Sequence, residues 1–257
     1  MKRQLRQPRV AELVANRIRQ QILDGTLAPG SLLPKQEELL EDFDVSLPSM
    51  REALRILEVE GLVDVRRGNV GGAVVRVPGP PEAAYTLALV LQSRAVSLDD
   101  VSVALRNFEP RCAALCAERK DRKRAVLPRL QRNITASEAA LDDAEEFMTL
   151  ARAFHEELVA GCGNETTQLV LGSLERLWSA QTRQLTERTL DLGDFASRDV
   201  RKNGLAEHVA IVDAIAAGDA AAAERAARDH FARPERHAAI GRGLAVNANT
   251  LRGGQRP

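Results

Sequence analysis

The sequence predicts a mainly α fold in two parts. An N-terminal winged helix-turn-helix, three helices plus a β-hairpin wing, precedes a C-terminal all-α antiparallel helical bundle. Three observations predict it. Up to Val77, three short amphipathic stretches are followed by two β-branched runs. Pro78-Gly79-Pro80-Pro81 then interrupts both patterns. From Glu82, alanine and leucine recur at helical spacing to about residue 240, with no strand pattern. The domains read as 1–77, a linker over 78–82, a bundle over 83–240, and a tail over 241–257. That tail has glycine, asparagine and arginine without an apolar period, which predicts disorder.

Each element has a local reason. Val10, Leu13, Val14, Ile18 and Ile22 line one face of a first helix that stops at Asp24-Gly25. A shorter helix follows Pro34, with Leu39, Leu40 and Phe43 as its apolar edge. Asp44-Val45 turns the chain into Ser46, a capping residue for a third helix striped by Met50, Ala53, Leu54 and Leu57 and ended at Glu60-Gly61. So short a turn brings two helices together steeply, which is the helix-turn-helix arrangement. Leu62–Val65 and Ala73–Val77 then read as strands around a basic, glycine-rich tip from Arg66 to Gly72. The bundle reads as six or seven helices.

Charge excludes a field acting over the whole molecule. The chain has 36 basic and 36 acidic side chains, 12 and 11 of them up to Val77, so any nucleic-acid affinity must come from a local patch. Three cysteines, Cys112, Cys116 and Cys162, argue against a disulfide scaffold and fit a reducing cytosol. Cys112 and Cys116 lie one turn apart among alanines and read as small buried hydrophobes, as Trp178 and Tyr85 read as packing residues. No signal peptide or membrane span is evident, so the expectation is a soluble cytoplasmic protein with no membrane partner.

A recognition helix presents short polar and cationic groups from its first turn. Ser46, Ser49 and Arg51 meet that requirement, and Arg55 follows one turn on. Two arginines on a helix are by themselves a solvated face. Together with the Arg66-Arg67-Gly68 tip, placed where a wing reaches a neighbouring groove or backbone, they read as a DNA-binding surface. Leu33-Pro34, Glu38-Leu39, Val45-Ser46, Arg51-Glu52-Ala53-Leu54, Leu57-Glu58, Glu60-Gly61-Leu62-Val63 and Arg67-Gly68 resemble the winged-helix signature of the GntR family of bacterial transcription regulators. The resemblance implies a homodimer on a palindromic double-stranded DNA operator, with contacts from Lys35, Ser46, Ser49, Arg51, Arg67 and Gly68. Glu37 and Leu47 stand where many members have arginine, which implies a different operator sequence.

The later half resembles the FadR-type (FCD) sensor domain of that family, through Arg106-Asn107-Phe108-Glu109-Pro110, Phe154-His155, Gly163-Asn164, Glu207-His208, Ala214-Ile215 with Gly218-Asp219, and His230. It implies a small-molecule effector, an organic acid or fatty acyl ligand, facing Arg106, His155, Asn164, His208 and His230. The alanine-rich bundle leans the reading towards an acyl ligand. Physically, His155 shares a face with Phe147, Ala151, Leu158 and Cys162, His208 with Ile211, Val212 and Ile215, while His230 follows Ala223, Ala226 and Ala227. Imidazoles converging inside a bundle can hold a divalent metal such as zinc, with open positions for a carboxylate. The resemblance makes His155, His208 and His230 the metal ligands, but Ala151 stands where relatives carry an aspartate. A neutral three-histidine metal centre and a metal-free effector pocket both remain open. Two rival functions are a metal-dependent enzyme tethered to DNA and an architectural DNA-binding protein without a ligand. No nucleophile motif or phosphate loop accompanies the histidines, so the sequence reads as a regulator and not an enzyme.

Overall fold

The computed structural model describes residues 9–66, 72–190, 197–232 and 243–251, with the side chains of 184–190 left aside. The chain divides into two compact units, Met1–Gly79 and Pro80–Pro257.

In the first unit, α1 (Val10–Leu23), α2 (Gln36–Phe43) and α3 (Leu47–Val59) precede the antiparallel strands β1 (Val63–Arg66) and β2 (Gly72–Val75). Each helix follows its apolar period. Val14, Ile18 and Ile22 of α1 meet Met50, Ala53 and Leu57 of α3 in one core that also takes in Leu39, Leu62 and Val75. Punctuation comes from the backbone. Asp44 adopts the left-handed conformation (φ 48°) to end α2, and Gly61 (φ 75°) ends α3. The hairpin register pairs Val63 with Val75 and Arg66 with Gly72. The segment before α2 adds an edge to it, since Leu33 N donates to Ala73 O at 2.8 Å and Val75 N to Ser31 O at 2.8 Å. The Arg19 guanidinium clamps Glu60 at 2.8 and 2.6 Å, tying α1 to the end of α3.

The second unit contains α4 (Pro80–Ser93), α5 (Leu98–Glu118), the single-turn α6 (Arg122–Ala125), α7 (Leu127–Ala139), α8 (Ala144–Gly161), α9 (Glu165–Leu190), α10 (Arg198–Ala217) and α11 (Ala220–Ala232). Helix α5 contacts α8, α9, α10 and α11, so its residues supply the centre of the unit. One apolar core gathers Cys112, Leu130, Phe154, Leu158, Ile211 and Ile215, and a second gathers Ala88, Leu98, Leu105 and Leu177, with Tyr85 and Trp178 packed against it. Pro110 lies inside α5 and supplies no N–H, so the Arg106 carbonyl lacks its helical donor there.

Two expectations change. The predicted linker over 78–82 ends sooner, because Pro80 and Pro81 form the first turn of α4, where a missing N–H costs nothing. The predicted disordered tail over 241–257 contains an ordered stretch. Leu98 N donates to Leu244 O at 2.8 Å and Val246 N to Val96 O at 3.0 Å. Val246 and Ala248 are buried in the second core, and Gln181 Nε2 holds the Asn247 carbonyl and Thr250 Oγ1, each at 2.6 Å. A short apolar pair has no period to detect, yet it fills a groove that the helices leave. No helix among the described residues is long and apolar enough to cross a membrane.

Candidate functional site

Two groups of side chains stand out, one in each unit. In the first, α2 turns through Asp44-Val45 into α3, whose first turn is exposed because its stripe of Met50, Ala53 and Leu57 faces inward. Ser46 and Ser49 bond to each other through their hydroxyls at 3.0 Å, so Ser46 does not cap the backbone as the sequence suggests. Arg51 projects into solvent and makes no ion pair with a described residue, whereas Arg55 lies 3.7 Å from Glu52. Lys35 is exposed at the start of α2, its backbone N–H donating to Glu38 Oε2 at 3.3 Å. Lys35, Ser46, Ser49 and Arg51 thus belong to the exposed end of one helix-turn-helix. Arg66 pairs with Asp64 at 3.8 Å, and Arg67 and Gly68 lie outside the described residues.

In the second unit, α8, α10 and α11 bring His155, His208 and His230 together. One ligating atom from each lies within 4.8 Å of the others. Their positions follow from the helical stripes read in the sequence. His208 and His230 are buried, and His208 stacks on Phe154 with ring centroids 3.9 Å apart and planes 8° from parallel.

Carboxylates orient two of the rings. His155 Nδ1 lies 2.5 Å from Glu109 Oε1, and His230 Nδ1 lies 2.9 Å from Glu207 Oε2. A ring nitrogen facing a carboxylate carries the proton, which leaves the Nε2 of a neutral imidazole as a lone pair. Those two Nε2 atoms face each other at 3.3 Å. Two lone pairs so placed repel unless a proton or a metal cation lies between them. Two nitrogens each about 2.0–2.1 Å from a tetrahedral ion stand about 3.3–3.4 Å apart, so the donors fit a divalent metal as well as a proton.

Behind His155 lies a feature the sequence reading missed. Glu109 and Glu175 are both buried and share a hydrogen bond. Burial pushes Glu109 up to about 8. Burial, then the Glu109 charge and the hydrogen bond, raise Glu175 well above the usual carboxylate range, so Glu175 keeps its proton and donates it to Glu109. Their signal in the sequence was a glutamate on an otherwise apolar stripe, with Leu105 and Cys112 flanking Glu109 and Leu171 preceding Glu175 by one turn.

The remaining predicted residues stand apart from this centre. Arg106 is half-buried on α5, and Glu109 pairs with His155 instead of with it. Asn164 is exposed, its Oδ1 accepting from Thr167 N at 2.8 Å, so its side chain caps α9. Ala151 packs partly buried beside Ala140, Phe147 and Leu205 and offers no ligand.

An exposed helix-turn-helix end, carried with a helical unit that encloses a polar centre, defines a DNA-binding regulator with a sensor domain. Comparison with known proteins makes this specific. Residues 10–74 match the family described as bacterial regulatory proteins, gntR family, and residues 100–233 match the FCD domain. Mce2R of Mycobacterium tuberculosis, an HTH-type transcriptional regulator, is 32% identical over 230 residues, 86% of this chain and 88% of the relative. NanR of Klebsiella aerogenes, an HTH-type transcriptional repressor, is 27% identical over 237 residues, 90% of this chain and 85% of the relative. A Streptococcus agalactiae GntR structure shares the fold, with TM-score 0.64 at 24% identity over 86% of this chain and 96% of that one. The chain belongs to the GntR family of bacterial transcription regulators and carries an FCD effector domain. The relatives are named as regulators, not enzymes.

Proposed function

We propose that the protein is a cytoplasmic homodimeric regulator that binds a palindromic operator and is controlled by a carboxylate-bearing effector at a metal held by His155, His208 and His230. Lys35, Ser46, Ser49 and Arg51, with Arg67 and Gly68 of the wing, supply the DNA contacts. Serine hydroxyls and backbone-facing cations position the helix, and an arginine at its first turn reads the acceptor edge of a guanine. Arg51 suits that role because no acidic neighbour neutralises it.

The observation that carries the sensor reading is the facing pair of Nε2 atoms, each turned inward by a carboxylate on the opposite ring nitrogen. Three neutral ligands, with alanine at 151, leave a bound divalent ion with its positive charge unreduced in the first coordination sphere. An anionic effector head, from an organic acid or a fatty acyl carboxylate, would complete it, with Arg106 as a second cation on the adjoining helix. When bound, the metal supplies a Lewis-acidic anchor for that head. The protein's own part is to fix the ring orientations through Glu109 and Glu207. Effector and operator affinities would then be linked reciprocally.

The test is elemental analysis of protein prepared without a histidine tag, paired with operator binding by fluorescence anisotropy. Wild-type protein is expected to hold close to one divalent ion per chain, and His208→Ala to lose it. Negligible metal in both removes the metal. An affinity for operator that no carboxylate or acyl compound changes favours a ligand-free architectural role.

A further inference from the structure

The three cysteines all lie in the core shared by α5 and α8, but they are not equivalent. Cys116 donates to the Leu158 carbonyl at 3.4 Å, and burial pushes its thiol up to about 12. Cys112, one turn earlier on α5, is in side-chain hydrogen-bond contact with Cys162 at the end of α8. That bond, then burial, raises the Cys112 thiol, so Cys112 keeps its proton and donates it. The same bond, with help from the Asn164 backbone and the Arg119 charge, pulls Cys162 down to about 6. Cys162 is therefore the thiolate of the pair at neutral pH.

Access separates them further. Cys162 lines a cavity of about 460 Å³ with Leu115, Glu118, Arg119, Gly163 and Gln168, and neither other cysteine lines it. Arg119 is fixed there by two 2.9 Å bonds to Asp121 and a third, also 2.9 Å, to the Gly161 carbonyl. A cation thus stays beside the sulfur, and Gly163 (φ +77°) turns the chain closely over it, since a Cβ there would lie 3.1 Å from Arg119 Nη1.

We propose that Cys162 is an oxidative modification site, with Cys112 as its resolving partner and a small hydroperoxide as the reagent that enters the cavity. The Cys162 thiolate attacks the terminal peroxide oxygen. A sulfur–oxygen bond forms, the oxygen–oxygen bond breaks, and the leaving alkoxide or hydroxide takes up a proton from water. The Cys112 thiol then attacks the sulfenic sulfur, a sulfur–sulfur bond forms, and water leaves with the Cys112 proton. Two thiols are oxidised by two electrons in all, and the hydroperoxide is reduced to an alcohol or water plus water.

The disulfide joins two helices that also build the histidine centre. Cys112 lies one turn beyond Glu109 on α5, and Cys162 lies two turns beyond His155 on α8. Oxidation would report through the Glu109–His155 contact, and this consequence alone rests on the sensor reading above.

The test uses the reduced full-length protein, treated with one equivalent of hydrogen peroxide, alkylated with N-ethylmaleimide under denaturing conditions and mapped by mass spectrometry. A peptide linking Cys112 to Cys162 is expected, with Cys116 alkylated. Cys112→Ser should instead yield a dimedone adduct on Cys162. Native labelling of the wild type by iodoacetamide at pH 7 avoids any folding defect of variants, and Cys162 should react at least about tenfold faster than Cys112 or Cys116. Cys162 left as a free thiol after peroxide, or equal labelling rates for all three, overturns the proposal. Failure to find metal leaves these thiol readouts intact, so the two readings fail separately.

Discussion

Arg51 and Lys35 stand in water at the ends of two short helices, whereas His208, His230, Glu109 and Glu175 are buried between long ones. The contrast separates two ways of building function. In the DNA-binding unit the core stripe of α3 and its outward face share no residue, so operator contacts can change while the fold stays constant. In the sensor unit the functional groups are the core. His208 is at once a candidate ligand and the stacking partner of Phe154, and Glu109 both fills the interior and orients His155. The first surface is free to diverge, as Glu37 and Leu47 illustrate. The second centre can change only where its neighbours accommodate the change.

Stability measurements sharpen this difference. The largest effect is expected from ending the chain at Arg242, which strips Val246 and Ala248 from the second core and leaves Gln181 without its partners. The loss should be about 2–4 kcal/mol by urea denaturation, and a change near zero would show that the stretch contributes nothing to the sensor unit.

The buried carboxyls should make the sensor unit sensitive to pH in a chelator-treated protein. Below the ordinary value of 4.5, folded and unfolded chains both hold these protons, so burial is unpenalised. As pH rises, the unfolded chain releases them first and stability falls, until Glu109 itself titrates at about 8. The slope should be on the order of 1.4 kcal/mol per pH unit for each such carboxyl, and Glu109→Gln should make it shallower. A flat profile between pH 5 and 8 would show that the pair is ionised on both sides and solvated.

The smallest change in stability belongs to Arg51→Ala, within about 0.5 kcal/mol, because the side chain packs on nothing. Its operator affinity should nevertheless fall by about 1–3 kcal/mol. Anisotropy titration against melting temperature checks both at once. Full operator affinity in the variant would remove Arg51 from the interface.

Linear patterns made the DNA-binding unit readable. Val14, Ile18 and Ile22 recur at helical spacing, Gly61 ends α3, and the β-branched runs give the hairpin, so local rules and tertiary packing agree. The prolines at 80 and 81 misled only because proline interrupts a helix everywhere except its first turn. In the sensor unit the three histidines were visible as inward positions on their stripes. Their carboxylate partners were not, because Glu109 and His155 are 46 positions apart and helical period says nothing about which turns of two helices meet. Asn164 shows the converse: a motif residue in the right order that the fold uses to cap α9.

Periodicity, turn chemistry and the GntR-like motifs were therefore enough for the helix-turn-helix, the helical sensor and the identity of the inward imidazoles, since each is a property of neighbours along the chain. The proton held between Glu109 and Glu175, the facing Nε2 atoms, the unequal cysteines and the packed stretch around Val246 arise from contacts between distant segments. Burial and proximity set those properties, and both exist only after the helices have packed.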